Sequence, residues 1–371
     1  MTILQDYLRD LEPFVNIDCG SANKAGVTRC AEMMKALFES IGFTCELVDL
    51  GPDVGRALLA RNKPEAEGFD VMMNAHLDTV FPDGTAAARP LRVEGDRAYG
   101  PGCSDCKGGA LAIYYACKTA DPADLERLSI CCAFNPDEEV GSNASTAWLS
   151  SLGARSKYVL VFEAARAGGE LVRSRKGVAS YRVEFKGVAA HAGNNPQDGA
   201  NANIAAMRFS LAAAGLADPK LGTTVNPGVI KGGTVSNVIS DRCTVEIDTR
   251  YWFDEHHEKL DAELKSLAAA VWAPGVTQTF EMLNHSPAMP LSERTKNLVA
   301  LITRAAELEG FEATWIDAGG GSDGNHIAET GVPVIDGCGP AGGCFHSDKE
   351  FLRLDTVEER IGMVRRFFSL I

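Results

Sequence analysis

The sequence predicts an α/β fold: a mostly parallel central sheet flanked by helices, interrupted by an inserted α+β unit of ferredoxin-like β-α-β-β-α-β order. Two observations carry this expectation. Between residue 25 and about 172, helical patterns such as Lys107–Ala120 alternate with short, continuously apolar runs, the form a strand takes when both faces of its sheet are covered. From 176 to 287 the pattern changes to longer strands and two helices, after which the first style returns.

In chain order, the buried runs are Val71–Ala75, Ser129–Phe134 and Tyr158–Phe162. The run Val332–Ile335 and the helical patterns Glu293–Leu308 and Thr356–Leu370 resume the series near the C-terminus. The insertion reads strand Ala179–Phe185, helix Ala200–Ala214, strand Thr223–Lys231, strand Arg242–Arg250, helix Glu255–Val271 and strand Val276–Met282. Its joints near Arg175 and Ser286 are too short for linkers. We therefore expect a discontinuous domain of residues 1–175 and 288–371, an inserted domain of 176–287, and a cleft where the two meet.

Composition narrows the function. With 371 residues, 45% hydrophobic and 23% charged, the chain is long and apolar enough for a substantial core. A formal charge of −14 argues against a nucleic-acid partner, which needs a basic stripe, and against an acidic membrane surface. The start MTILQDYLRDLEPF carries acids where a signal peptide needs a basic residue and an apolar run, and no membrane-length apolar stretch follows. Eleven cysteines without regular spacing fit reduced thiols and a cytoplasmic setting. Cys103 and Cys106 form half a zinc ribbon with no second pair to complete it.

The chemistry concentrates at strand ends. His76-Leu-Asp78, Asp105, Glu138-Glu139 and Glu163 each follow a predicted buried strand or the loop after it, and ligands of open α/β sheets bind at the carboxyl ends of the strands. Singly, His76 reads as an ordinary hydrogen-bonded histidine and Glu138-Glu139 as an acidic helix start. Together they form a crowd of carboxylates that stays ionised only beside a cation. Imidazole with carboxylate suits zinc, with cobalt or manganese as substitutes, and a pair of ions about 3.5–4 Å apart needs a bridging carboxylate. Asp78, two residues along from His76, shares its face and can orient the imidazole. His256 and His257 lie in a charged helical stretch and read as solvated; His285 and His326 are unassigned.

The segments NAHLDTV (74–80), YGPGCSDCKGG (99–109), NPDEEVGS (135–142), VFEAA (161–165), GVAAHAGNNPQDGANA (187–202), GGTVSNVISDRCTVEIDTR (232–250), GGGSDGNHI (319–327) and FHSDKE (345–350) resemble, in order and spacing, a known family. It is that of the dinuclear zinc metallopeptidases and amidohydrolases related to bacterial glutamate carboxypeptidase, aminoacylase-1, acetylornithine deacetylase, succinyl-diaminopimelate desuccinylase and peptidase T. The resemblance implies a zinc-peptidase-like catalytic domain in which His76 and Glu163 hold one Zn2+, Glu139 and His346 the other, and Asp105 bridges. It also implies a cis peptide at Asp105–Cys106 and Glu138 as general base, with Asp78 kept as the acid that orients His76. The inserted domain becomes a lid and dimerisation domain, His191 of the HAG motif being contributed from the partner subunit of a homodimer. Asn237 and Arg250 are expected at the substrate's carboxylate or carbonyl oxygens, with Gly321 and Ser322 of the glycine loop approaching it. The implied reaction is cleavage of a peptide or amide bond next to a free-carboxylate amino acid, the substrate being a small peptide or an N-acyl amino acid.

The chain departs from the glutamate-specific pattern, since Glu170-Leu and Ser286-Pro stand where those relatives place basic side chains. Arg166, Arg173, Arg175 and Lys176 are possible substitutes. An N-acyl-amino-acid deacylase is the alternative within the family. Outside it, Gly320-Gly-Ser322-Asp-Gly324 satisfies G-x-S-x-G, with Asp336 and His346 following in serine-hydrolase order, but that reading leaves the acids at 105, 138, 139 and 163 unexplained. A non-catalytic dimeric scaffold is the third reading, because fold does not guarantee activity.

Overall fold

The apolar runs of the N-terminal half become neighbouring strands in the computed structural model, which describes residues 2–371. The chain divides into two units. The first comprises residues up to Ser174, Leu291–Ala318 and Ser322–Ile371, and the second Arg175–Pro290 with Gly319–Gly321.

The central sheet of the first unit has the order Thr44–Val48, Ala57–Arg61, Ile130–Asn135, Phe69–His76, Ser156–Val161, Val334–Ile335. The last four strands run parallel and the first two add antiparallel at one edge. Ile130–Asn135 is buried at every position, which alternating side chains allow only where both faces are covered. Helix Lys107–Lys118 is buried along almost its whole length and comes very close to the neighbouring backbone. A Cβ at Gly109 would lie 2.0 Å from the Phe162 carbonyl oxygen, so glycine is required there. The two edge strands were not foreseen. Nor was a five-stranded sheet of very short strands, Arg92–Glu94, Arg97–Tyr99, Phe351–Arg353, Gly339–Gly343 and Ala164–Ala165, whose runs are too brief for a period to register.

The second unit is a four-stranded antiparallel sheet in the order Thr224–Gly232, Arg242–Tyr251, Gly177–Lys186, Thr277–Ser286. Burial alternates along its central strands, so that Tyr181, Val183 and Phe185 share a face with Val245, Ile247 and Tyr251. Helices Ala202–Ala214 and Asp254–Ala269 pack on that face and complete a separate core around Phe209 and Leu264. Among the described residues, no helix is long and apolar enough to cross a membrane.

Candidate metal centre

Parallel neighbours end at the same edge of a sheet, and three of them deliver the acidic and imidazole groups there. His76 is the last residue of Phe69–His76, Glu138 and Glu139 form a short helical turn just after Ile130–Asn135, and Glu163 lies two residues beyond Ser156–Val161. Asp105 precedes helix Lys107–Lys118, and its peptide to Cys106 is cis. His346 lies just after Gly339–Gly343 with φ +60, a left-handed conformation uncommon for a residue with a side chain.

The side chains converge around Asp105. One of its oxygens is 3.1 Å from His76 Nε2, and the other is 3.2 Å from His346 Nε2, which is itself 3.2 Å from Glu139 Oε2. Glu163 Oε1 lies 3.7 Å from His76 Nε2 and is buried without a hydrogen-bond partner. The protein thus presents two donor sets that share one aspartate. Donor atoms of His76, Asp105 and Glu139 all lie within 4.8 Å of one another, as do those of His76, Cys106 and Glu163. Burial pushes the Cys106 thiol pKa well up, and its Sγ–H donates to the Phe162 carbonyl, so the thiol is engaged by the backbone.

Electrostatics points the same way. Burial pushes Glu138 and Glu163 well above the usual carboxylate range and Glu139 to about 7. Burial alone would lower His76, yet Glu163 and its other anionic neighbours raise it well above the ordinary histidine value, while the Asp105 hydrogen bond lifts His346 to about 9. Protein groups alone keep this cluster neutral only by retaining protons. Divalent cations would displace those protons and satisfy the orphaned Glu163 oxygen, so the residues fit a metal.

Asp78 does more than orient an imidazole. It is fully buried; its main-chain oxygen accepts from His76 Nδ1 at 3.0 Å, which places the ring proton on Nδ1 and leaves Nε2 as a donor to metal. Its carboxylate accepts the backbone N–H groups of Glu138 at 3.1 Å and Glu139 at 3.2 Å, together with the Ser21 hydroxyl at 2.6 Å. Glu350, missed in the sequence, is buried and accepts the N–H groups of Gly102, Ser104 and Asp105, each at 3.0 Å. It lies four residues beyond His346 in a segment already singled out, but nothing in its spacing distinguished it from a surface acid.

The other expected residues divide. His191 and Asn237 sit exposed on paired loops of the second unit, where Ala192 N–H donates to the Asn237 carbonyl at 2.9 Å. His191 Nδ1 accepts from the N–H groups of Gly193 and Asn194, so the neutral ring carries its proton on Nε2. Arg250 makes a two-pronged pair with Asp248, both contacts at 2.9 Å. The Gly321 carbonyl accepts from Arg175 at 3.4 Å.

Ser322 departs from expectation. It is buried as the N-cap of helix Asp323–Ala328, its hydroxyl donating to Asp336 and accepting from Gly324 N–H, so the proton meant for a substrate is already committed. The serine-nucleophile reading fails for the same reason, and His346, its would-be base, is turned to Asp105 and Glu139. His257 is not solvated either: it is half-buried, its ring 5.0 Å from that of Tyr251 and 4.3 Å from that of His285.

Fold and site together define a metal-dependent hydrolase. Residues 72–369 match peptidase family M20/M25/M40, and the chain belongs to that family. It is 32% identical over 367 residues to carboxypeptidase G2 of Pseudomonas sp. (strain RS-16), covering 97% of this chain and 88% of that protein. It is 26% identical over 366 residues to the succinyl-diaminopimelate desuccinylase of Delftia acidovorans, covering 91% of each. The solved aminopeptidase PepT of Bacillus cereus shares the fold, with a TM-score of 0.81 at 20% identity over 99% of this chain and 98% of that one.

Proposed function

We propose that this hydrolase cleaves a peptide or amide bond next to an amino acid with a free carboxylate, as a zinc-dependent carboxypeptidase or dipeptidase. The observation that carries the reading is Asp105, whose two oxygens each meet a different imidazole. On this reading His76 and Glu163 hold one Zn2+, His346 and Glu139 the other, and Asp105 bridges, with Co2+ or Mn2+ as substitutes. Similarity to carboxypeptidase G2 over nearly the whole chain supports the reaction type.

Bound there, the ions would lower the pKa of a water between them and polarise the scissile carbonyl. Glu138 has no ligand role in this assignment and lies beside Glu139 on the loop that Asp78 holds by its N–H groups. Its carboxylate takes the proton of the attacking water; burial then favours the protonated form, which delivers that proton to the leaving nitrogen. His191, supplied by the partner subunit of a homodimer, donates from Nε2 to the developing oxyanion. Asn237 and Arg250 hold the substrate carboxylate, Arg250 releasing Asp248 to offer the same two-pronged geometry, while the Gly321 backbone lines the approach. Eleven free cysteines suit a reducing compartment such as the cytoplasm.

The test is a substrate panel on zinc-loaded protein, comparing dipeptides with N-acyl amino acids and varying the C-terminal residue. Hydrolysis is expected to require the free carboxylate, to stop with a chelator and to return with Zn2+. Glu138→Gln is expected to keep its metal yet lose at least about 100-fold in turnover. Full activity in that variant would remove the base assignment, and preferential cleavage of N-acyl amino acids would make the enzyme a deacylase.

A further inference from the structure

We infer that Asp323 is a positioning residue for catalysis, anchoring from below the loop that carries Glu138 and Glu139. Asp323 opens helix Asp323–Ala328 and is 1% exposed. One of its oxygens accepts the Ser142 hydroxyl, and the other accepts Asn135 Nδ2 at 2.7 Å. These residues bracket the loop: Asn135 ends strand Ile130–Asn135, and Ser142 follows the turn Glu138–Val140.

Both brackets are themselves built in. Asn135 Oδ1 accepts from Asn74 at 3.0 Å, two residues before His76, so the same chain of amides reaches the neighbouring strand. Ser142 has φ +53, a left-handed conformation that a residue with a side chain keeps only where its surroundings hold it. Its N–H donates to the Asp137 carbonyl at 2.8 Å, closing the turn on itself. Asp323 thus ties both ends of the segment to one buried carboxylate, while Asp78 ties its middle through the N–H groups of 138 and 139.

The consequence differs for the two glutamates. On the proposed assignment, on which this inference rests, Glu139 is also held by the metal it ligates, whereas Glu138 depends on its loop alone. Loosening the anchor therefore acts on proton transfer before it acts on metal or substrate binding.

Ser142→Ala, the milder variant, is expected to lower kcat about tenfold, with KM within about twofold and metal content unchanged in protein that remains folded at the assay temperature, because a small misplacement of a reacting group is expensive. Asp323→Ala is expected to lose at least as much, and the double variant no more than Asp323→Ala, as shared partners require. Asp323→Asn is expected to restore most of the rate, since its amide accepts from Asn135 and donates to the Ser142 oxygen. Wild-type turnover in Ser142→Ala overturns the proposal, as does a loss of kcat that merely follows lost metal. If Asp323→Ala fails to fold, Ser142→Ala decides. Glu138→Gln measured alongside separates the two claims: its retained turnover removes the base assignment, whereas its collapse beside a fully active Ser142→Ala removes the anchor alone.

Discussion

Glu350 shows how a carboxylate acts at a distance from chemistry. Its three N–H partners span Gly102 to Asp105, so it fixes the loop that aims the shared aspartate, and burial lifts its own pKa to about 7 despite those bonds. In Glu350→Gln an NH2 group faces N–H donors, and the loop loses at least one anchor. Zinc affinity is expected to fall about 10- to 100-fold, read by competition with a chromogenic chelator, and unchanged affinity would refute the role. The residues the sequence revealed and those it hid differ in a physical way. His76, Glu138, Glu139 and Glu163 were visible because each follows a strand whose pattern is local. Glu350, Ser21 and Asp323 act through partners 57 to 248 residues away, a relation that no local pattern encodes.

Among the elements, the strands of the second unit were legible because alternation is strong where one sheet face is covered, as in Gly177–Lys186. The charged helix Asp254–Ala269 misled at one position. His257 is turned inward onto Tyr251 and His285, where burial and then the neighbouring imidazole lower its pKa. The folded unit therefore binds a proton at His257 less readily than the unfolded chain does. Stability is retained above the ordinary value of 6.5 and is lost as pH falls below it towards the lowered folded value. His257→Phe keeps a ring in the stack without the proton. Its thermal denaturation is expected to depend less on pH between about 7 and 5 than the wild type's, and identical slopes would exclude His257 as the source.

At the scale of the molecule, the proposed homodimer has support in helix Ala202–Ala214, where Ile204, Met207 and Leu211 form an exposed apolar stripe at helical spacing and Leu211 is 77% exposed. A shared site makes a mixing prediction. Glu138→Gln and His191→Ala subunits, each inactive alone, are expected to recover about a quarter of wild-type activity after exchange, because about half of all dimers are then mixed and each mixed dimer carries one intact site of two. No recovery with exchange verified would mean that each subunit works with its own histidine. The two imidazoles at Asp105 are also unlike in a way that matters beyond catalysis: His76 is sealed in the core, whereas His346 is 55% exposed on a loop held in a left-handed turn. On the proposed assignment the ion at His346 would be the first to leave, so dilution into a chelator is expected to remove one equivalent of zinc before the other, read by metal analysis over time.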